Sequence, residues 1–163
     1  MKRVLLVGLT LLFLAGVSEA HFKGAMSPKS TNGSASEKIT IFNNSGSALD
    51  RGDVVVYDFD NSTGDDDLYV TTTTTADTLL VAGVVWSNDI AIGDEGSIVV
   101  WGFAQCDIAG HFGEGVTSVQ PICTSTTAGS GRACQSGNAG ASYAISALDI
   151  SAGSQGNCFV KGQ

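Results

Sequence analysis

The sequence predicts an all-β fold, a β-sandwich or barrel-like domain built from two related β-units and stapled by disulfides. Three observations predict it. The 163 residues include 21 Gly but only 2 Pro, and Gly, Ser and Thr clusters separate short apolar runs, as in chains of many strands and turns. No segment carries an amphipathic helical period of useful length. The 4 cysteines are an even number, which in an exported chain reads as two disulfides.

Taken in order, residues 1–20 read as a signal peptide. Lys2 and Arg3 form a basic start, residues 4–17 an apolar stretch, and Ser18-Glu19-Ala20 a small-x-small cleavage site. The mature chain is therefore expected to begin at His21 and to be secreted, extracellular or at the cell surface. Residues 21–37 are polar and rich in Gly and Ser, and read as a flexible arm. Strand signals follow over 38–163. Residues 38–42 alternate, while 53–59, 68–75, 79–86 and 97–103 are rich in β-branched and aromatic residues between Gly, Asn and Asp clusters. Val54-Val55-Val56, Leu79-Leu80-Val81 and Ile98-Val99-Val100-Trp101 are apolar on both faces. Such strands need cover on both sides, from a second layer or from a neighbouring subunit.

An internal repeat organises these strands. Segments 52–102 and 115–162 share an order: Ala, an apolar strand, I-x-x-G-x-x-G, a second apolar strand, Gly. The shared motif is Ile90 to Gly96 in one and Ile150 to Gly156 in the other. Its two glycines are expected to supply turns that need positive φ. Residues 68–75 are expected to form a Thr-rich strand suited to edge pairing. Of the three possible disulfide connectivities, Cys123 with Cys134 is favoured, because the segment between them reads as a hairpin turning near Gly129. That leaves Cys106 with Cys158. Zinc ligation is the competing reading, though no C-x-x-C pair is present.

The pattern N-x-S-G-x-x-L-x-x-G-D-V-V from Asn43 to Val55, V-A-G-V from Val81 to Val84, and I-x-x-G-D-x-G-x-I-x-V-x-G from Ile90 to Gly102 resembles the small all-β capsid cement or decoration proteins of tailed phages. The resemblance spans about residues 40–162. It implies a structural, non-enzymatic subunit that binds other subunits. A leader and two disulfides depart from a phage protein assembled in the cytoplasm, and point to a related β-module used outside the cell.

Charge narrows the partners. Acidic residues number 16 against 8 basic, and removing Lys2, Arg3 and Glu19 leaves 15 against 6. Nucleic acid and anionic lipid are disfavoured, and no membrane association is expected after signal cleavage. Copies of the chain itself, or other extracellular structural subunits, are the expected partners, in a filament, surface layer or matrix. The alternative is a secreted carbohydrate- or Ca-binding module. Asp58, Asp60, Asp65, Asp66 and Asp67 supply carboxylates enough for Ca²⁺, although the EF-hand register fails and a solvated turn uses the same residues. No other cofactor is expected. His21, as a mature N-terminus, with His111 would make a copper brace, the less favoured reading. No catalytic set stands out, since a Ser-His-Asp triad would have to use His111 and no G-x-S-x-G elbow is present. Trp86 and Trp101 lie in continuous apolar strands, which favours core or interface packing over sugar stacking. Asn32, Asn43 and Asn61 begin glycosylation sequons.

Overall fold

The computed structural model describes residues 36–60, 68–109, 115–135 and 137–161. Among them the fold is all-β, with one 3-10 turn at Ala139–Ala141 and nine strands: β1 (Ser36–Asn43), β2 (Val54–Tyr57), β3 (Tyr69–Thr71), β4 (Val81–Val85), β5 (Glu95–Asp107), β6 (Pro121–Thr124), β7 (Gly131–Ala133), β8 (Ala144–Ser146) and β9 (Gln155–Val160). The sheet runs β1-β3-β2-β4-β5, and β1 pairs back onto β5, closing a five-stranded barrel. From β5 it continues through β9-β8-β6-β7. A parallel bridge from Ile108 to Gly131 then brings β7 back to the end of β5.

The second set of strands repeats the pairing of the first. β1 runs antiparallel to β5 and parallel to β3. The latter half of β5 likewise runs antiparallel to β9 and, through Ile108, parallel to β7. The antiparallel pairs β2–β3, β2–β4 and β4–β5 recur as β6–β7, β6–β8 and β8–β9. Even the isolated bridge Leu49–Ile90 has its counterpart in Val116–Ile150. β5 is therefore the last strand of one β-unit and the first strand of the next.

The motif I-x-x-G-x-x-G has a physical reading in both copies. Gly93 and Gly153 take positive φ, 82° and 72°, where a side chain is disfavoured. The second glycine of each motif does something other than the expected turn. A Cβ on Gly96 would lie 2.1 Å from the Ile90 side chain, and one on Gly156 would lie 2.5 Å from that of Ile150. The missing side chain is what lets each isoleucine fold over the start of the strand that follows it, β5 or β9, into the core.

Two clusters account for the strands that are apolar on both faces. Ile41, Leu49, Val55, Val70, Val85, Ile90 and Ile98 fill the first barrel. Val54, Val84 and Val99, of opposite side-chain direction, are buried in one cluster with Cys106, Ile108, Ile122, Tyr143 and Cys158 of the second unit. The outer cover is therefore the second β-unit of the same chain. Within 79–81 only Val81 is buried, and Leu79 and Leu80 are exposed.

Two further expectations are corrected. The strand in 68–75 spans only Tyr69–Thr71, and β3 is no edge, being paired with β1 on one side and β2 on the other. β1 begins at Ser36, upstream of the expected Lys38, because Ser36 and Glu37 pair with Gly102 and Trp101. Polar side chains hide such a strand end from hydrophobic patterning, since the backbone supplies the pairing.

Candidate functional site

Cys123 and Cys134 are bonded across the β6–β7 hairpin, with Cα atoms 5.0 Å apart, and Gly129 in its turn has φ 75°. Cys106 and Cys158 are bonded between β5 and β9, with Cα atoms 5.9 Å apart. Both distances suit an ordinary disulfide. The second bond crosses the interior of the second unit, where the first unit has the apolar pair Ile41 and Ile98 at the matching register positions.

The two β-units meet along a polar seam. Val54 N–H donates to Gly129 O, 2.8 Å, and Asp107 N–H to Gly52 O, 3.0 Å. Arg132 Nη2 pairs with Asp77 Oδ2 at 2.6 Å, and Asn138 Nδ2 donates to the same oxygen. Thr78 N–H donates to Thr124 Oγ1, which donates in turn to Thr75 O. Asp53 sits at this seam, accepting from Asp50 N–H at 2.9 Å and lying against the Gly129 turn. Burial, helped by the charges of Asp50 and Asp107, pushes the Asp53 carboxyl up to about 6. Asp50 is also raised, chiefly by its side-chain hydrogen bond with Asp89.

The predicted site residues do not converge. Asp58 accepts from Asn44 Nδ2 at 2.6 Å and from Asp60 N–H at 3.2 Å, while Asp65, Asp66 and Asp67 lie outside the described residues. So do His21 and His111. Among the described residues no three His, Cys, Asp or Glu side chains are grouped so as to hold a metal ion. An open cleft of about 390 Å³ lies beside the β6–β7 hairpin, lined by Gln120, Ser125, Arg132 and Gln135. Its guanidinium is already engaged by Asp77 and by Thr124 O.

The two tryptophans differ. Trp86 packs against the larger core, and its ring is covered by Lys38 Nζ, 3.5 Å from the centroid, and by Arg51, 4.6 Å away. Trp101 is 50% exposed and Phe103, two residues on and on the same face of β5, is 49% exposed. Phe159 of β9 stands between them, its ring edge-on to both at centroid distances of 5.1 and 5.3 Å. Phe103, Phe159, Ile145 and Pro121 are direct cross-strand neighbours, so one apolar row crosses β5, β9, β8 and β6. The sequence marked Trp101 alone. Phe103, Phe159 and Ile145 join it only through the β5–β9–β8 register, a long-range pairing with no local signal.

The described chain is thus an all-β, doubly disulfide-bonded module with an exposed aromatic patch at Trp101 and Phe103. No family model and no curated protein matches it. Among solved structures it is similar to the N base of the head fiber gp8.5 of bacteriophage phi29, with a TM-score of 0.53 and 15% identity, covering 77% of this chain and 93% of that one. The likeness is one of fold, and the protein that shares it is a structural component of a phage head.

Proposed function

We propose that this chain is an exported, non-enzymatic structural subunit that associates with its own copies in an extracellular assembly, or decorates one. The aromatic face carries this reading. Two large aromatic side chains left half in water side by side, at the β5 end of a four-strand apolar row, are what protein–protein contact surfaces provide. The phage head fiber fold supports a structural role of the same broad kind. The polar seam and both disulfides favour a rigid building block, and the excess of acid over base disfavours nucleic acid.

Carbohydrate binding is the rival reading. A flat sugar platform needs rings that share a plane, and Phe159, which stands nearly perpendicular to Trp101 and to Phe103 at 82° and 85°, cannot extend one with either. Sedimentation of the purified protein over a range of concentrations, with negative-stain imaging, tests the proposal. Species larger than the monomer are expected. A protein that stays monomeric throughout, or that binds a discrete glycan on an array, overturns it.

A further inference from the structure

The row Pro121–Ile145–Phe159–Phe103, part-buried up to Phe159 and exposed at Phe103, has a twin in the first β-unit. There the same register positions are held by Val54, Val84, Val99 and Lys38, again direct neighbours across four strands. The three valines of the twin row are fully buried, in the cluster shared with the second unit. Lys38, at the end of the row, is exposed and lies over Trp86. This fold therefore uses the three valine positions of that row as a docking face, and leaves the fourth open. In the second unit the row is apolar throughout: Pro121, Ile145 and Phe159 are part-buried, while Phe103, with Trp101 beside it, is left half exposed.

One substitution decides how a second copy meets it. Within the chain the contact is anchored by Val54 N–H donating to Gly129 O. The residue in that place in the second unit is Pro121, which has no N–H to give. A further β-unit added head to tail would lose that bond, whereas a like face, held by side chains, loses nothing.

Charge fits the like-to-like arrangement. The row and Trp101 carry no charged side chain on a chain of net charge −8, so repulsion between copies is least here. Trp101 is flanked on β1 by its direct partner Glu37. On its other flank is Lys161, which follows Val160, the partner of Gly102. Each flank is about 5 Å from β5, the spacing of paired strands. A two-fold axis parallel to β5 sets Glu37 of each copy over Lys161 of the other. Lys161 Nζ donates to Ser142 Oγ in the copy itself.

The geometry points to a two-fold homodimer formed through the exposed aromatics of β5, with Trp101 and Phe103 at its centre, β9 of each copy over β1 of the other, and two reciprocal Glu37–Lys161 pairs flanking Trp101. It rests on the self-association proposed above. Half of two aromatic side chains is on the order of 200 Å² of apolar surface per copy, well under the ~800 Å² per partner of a standard interface. The dimer is accordingly concentration-dependent rather than obligate.

Sedimentation equilibrium of the full chain from about 1 µM to 1 mM tests this. Phe103→Ser and Trp101→Ser are each expected to weaken dimerisation at least about tenfold. Both positions are solvent-facing, and a thermal melt checks that each variant is folded. E37K and K161E, which leave the apolar packing untouched, are each expected to weaken it, and the double variant E37K/K161E to recover most of the wild-type affinity. Self-association that none of these variants alters overturns the assignment of the face and leaves the structural role standing. Recovery that fails in the double variant overturns the two-fold pairing. A wild-type chain that is monomeric throughout removes both the dimer and the self-association it rests on.

Discussion

A Cβ placed on Gly131 would lie 2.3 Å from the hydroxyl of Tyr143. The two residues share one volume inside the second β-unit. In the first unit the matching positions, read from the repeated strand pairing, are Val70 and Ala82. A medium and a small side chain there have become none and a large one here, and the interior stays filled.

This pairing predicts a strong coupling. Gly131→Val alone is expected to cost about 2–3 kcal/mol by overpacking, and Tyr143→Ala about 3–5 kcal/mol by leaving a cavity. Together they rebuild the first unit's arrangement, so the double variant should lose much less than the sum of the two. A double-mutant cycle in urea measures the difference.

Tyr143 carries a second expectation. Its hydroxyl is buried with no hydrogen-bond partner, and burial raises its pKa. Removing an unsatisfied buried hydroxyl relieves its desolvation cost. Tyr143→Phe should therefore leave stability unchanged or raise it by about 1 kcal/mol, read as an unchanged or higher urea midpoint.

The disulfides should differ in worth. Cys106 and Cys158 are separated by 52 residues, Cys123 and Cys134 by 11. Loop entropy assigns about 4 kcal/mol to the first and about 3 kcal/mol to the second. Cys106→Val/Cys158→Val is expected to recover part of its loss, because the first unit fills the same place with Ile41 and Ile98. Urea unfolding of each pair variant, under non-reducing conditions, ranks them.

Stability should rise as the medium turns mildly acid. The Asp53 carboxyl, held at about 6 by burial, binds its proton more tightly in the folded chain than in the unfolded one, where Asp lies near 3.9. The folded state thus bears the cost of a charged, part-buried carboxylate above about pH 6, and is relieved of it between pH 6 and pH 4. The raised Asp50 adds in the same direction. The melting temperature is expected to be higher at pH 5 than at pH 7.5, and Asp53→Asn to flatten that slope. A melt series over this range checks both.

Most strand positions up to residue 103, the repeated I-x-x-G-x-x-G motif and the Cys123–Cys134 hairpin were legible because each has a local signature, while Cys106–Cys158 followed only by elimination. Val54-Val55-Val56 reads as a strand wherever it lands, and Gly93 and Gly153 mark turns that need positive φ. The cover over those valines was not legible, since a second layer and a second subunit leave the same apolar pattern. Nor was the aromatic face, because Trp101 meets Phe159 across 58 residues of chain and only the β5–β9 register joins them. Trp86 reads like Trp101 in sequence, yet Lys38 and Arg51, distant in sequence or in another strand, close over it.

The double membership of β5 bears on how the molecule gives way. Two domains joined by a linker can melt one at a time and swing about the joint. Here the 13 residues of β5 are wall to one unit and doorway to the next, so neither can come undone while the other stays whole. Heating should give one transition, with calorimetric and van't Hoff enthalpies equal. A pull along the chain from one unit to the other finds no slack to take up, because the connection is itself hydrogen-bonded strand.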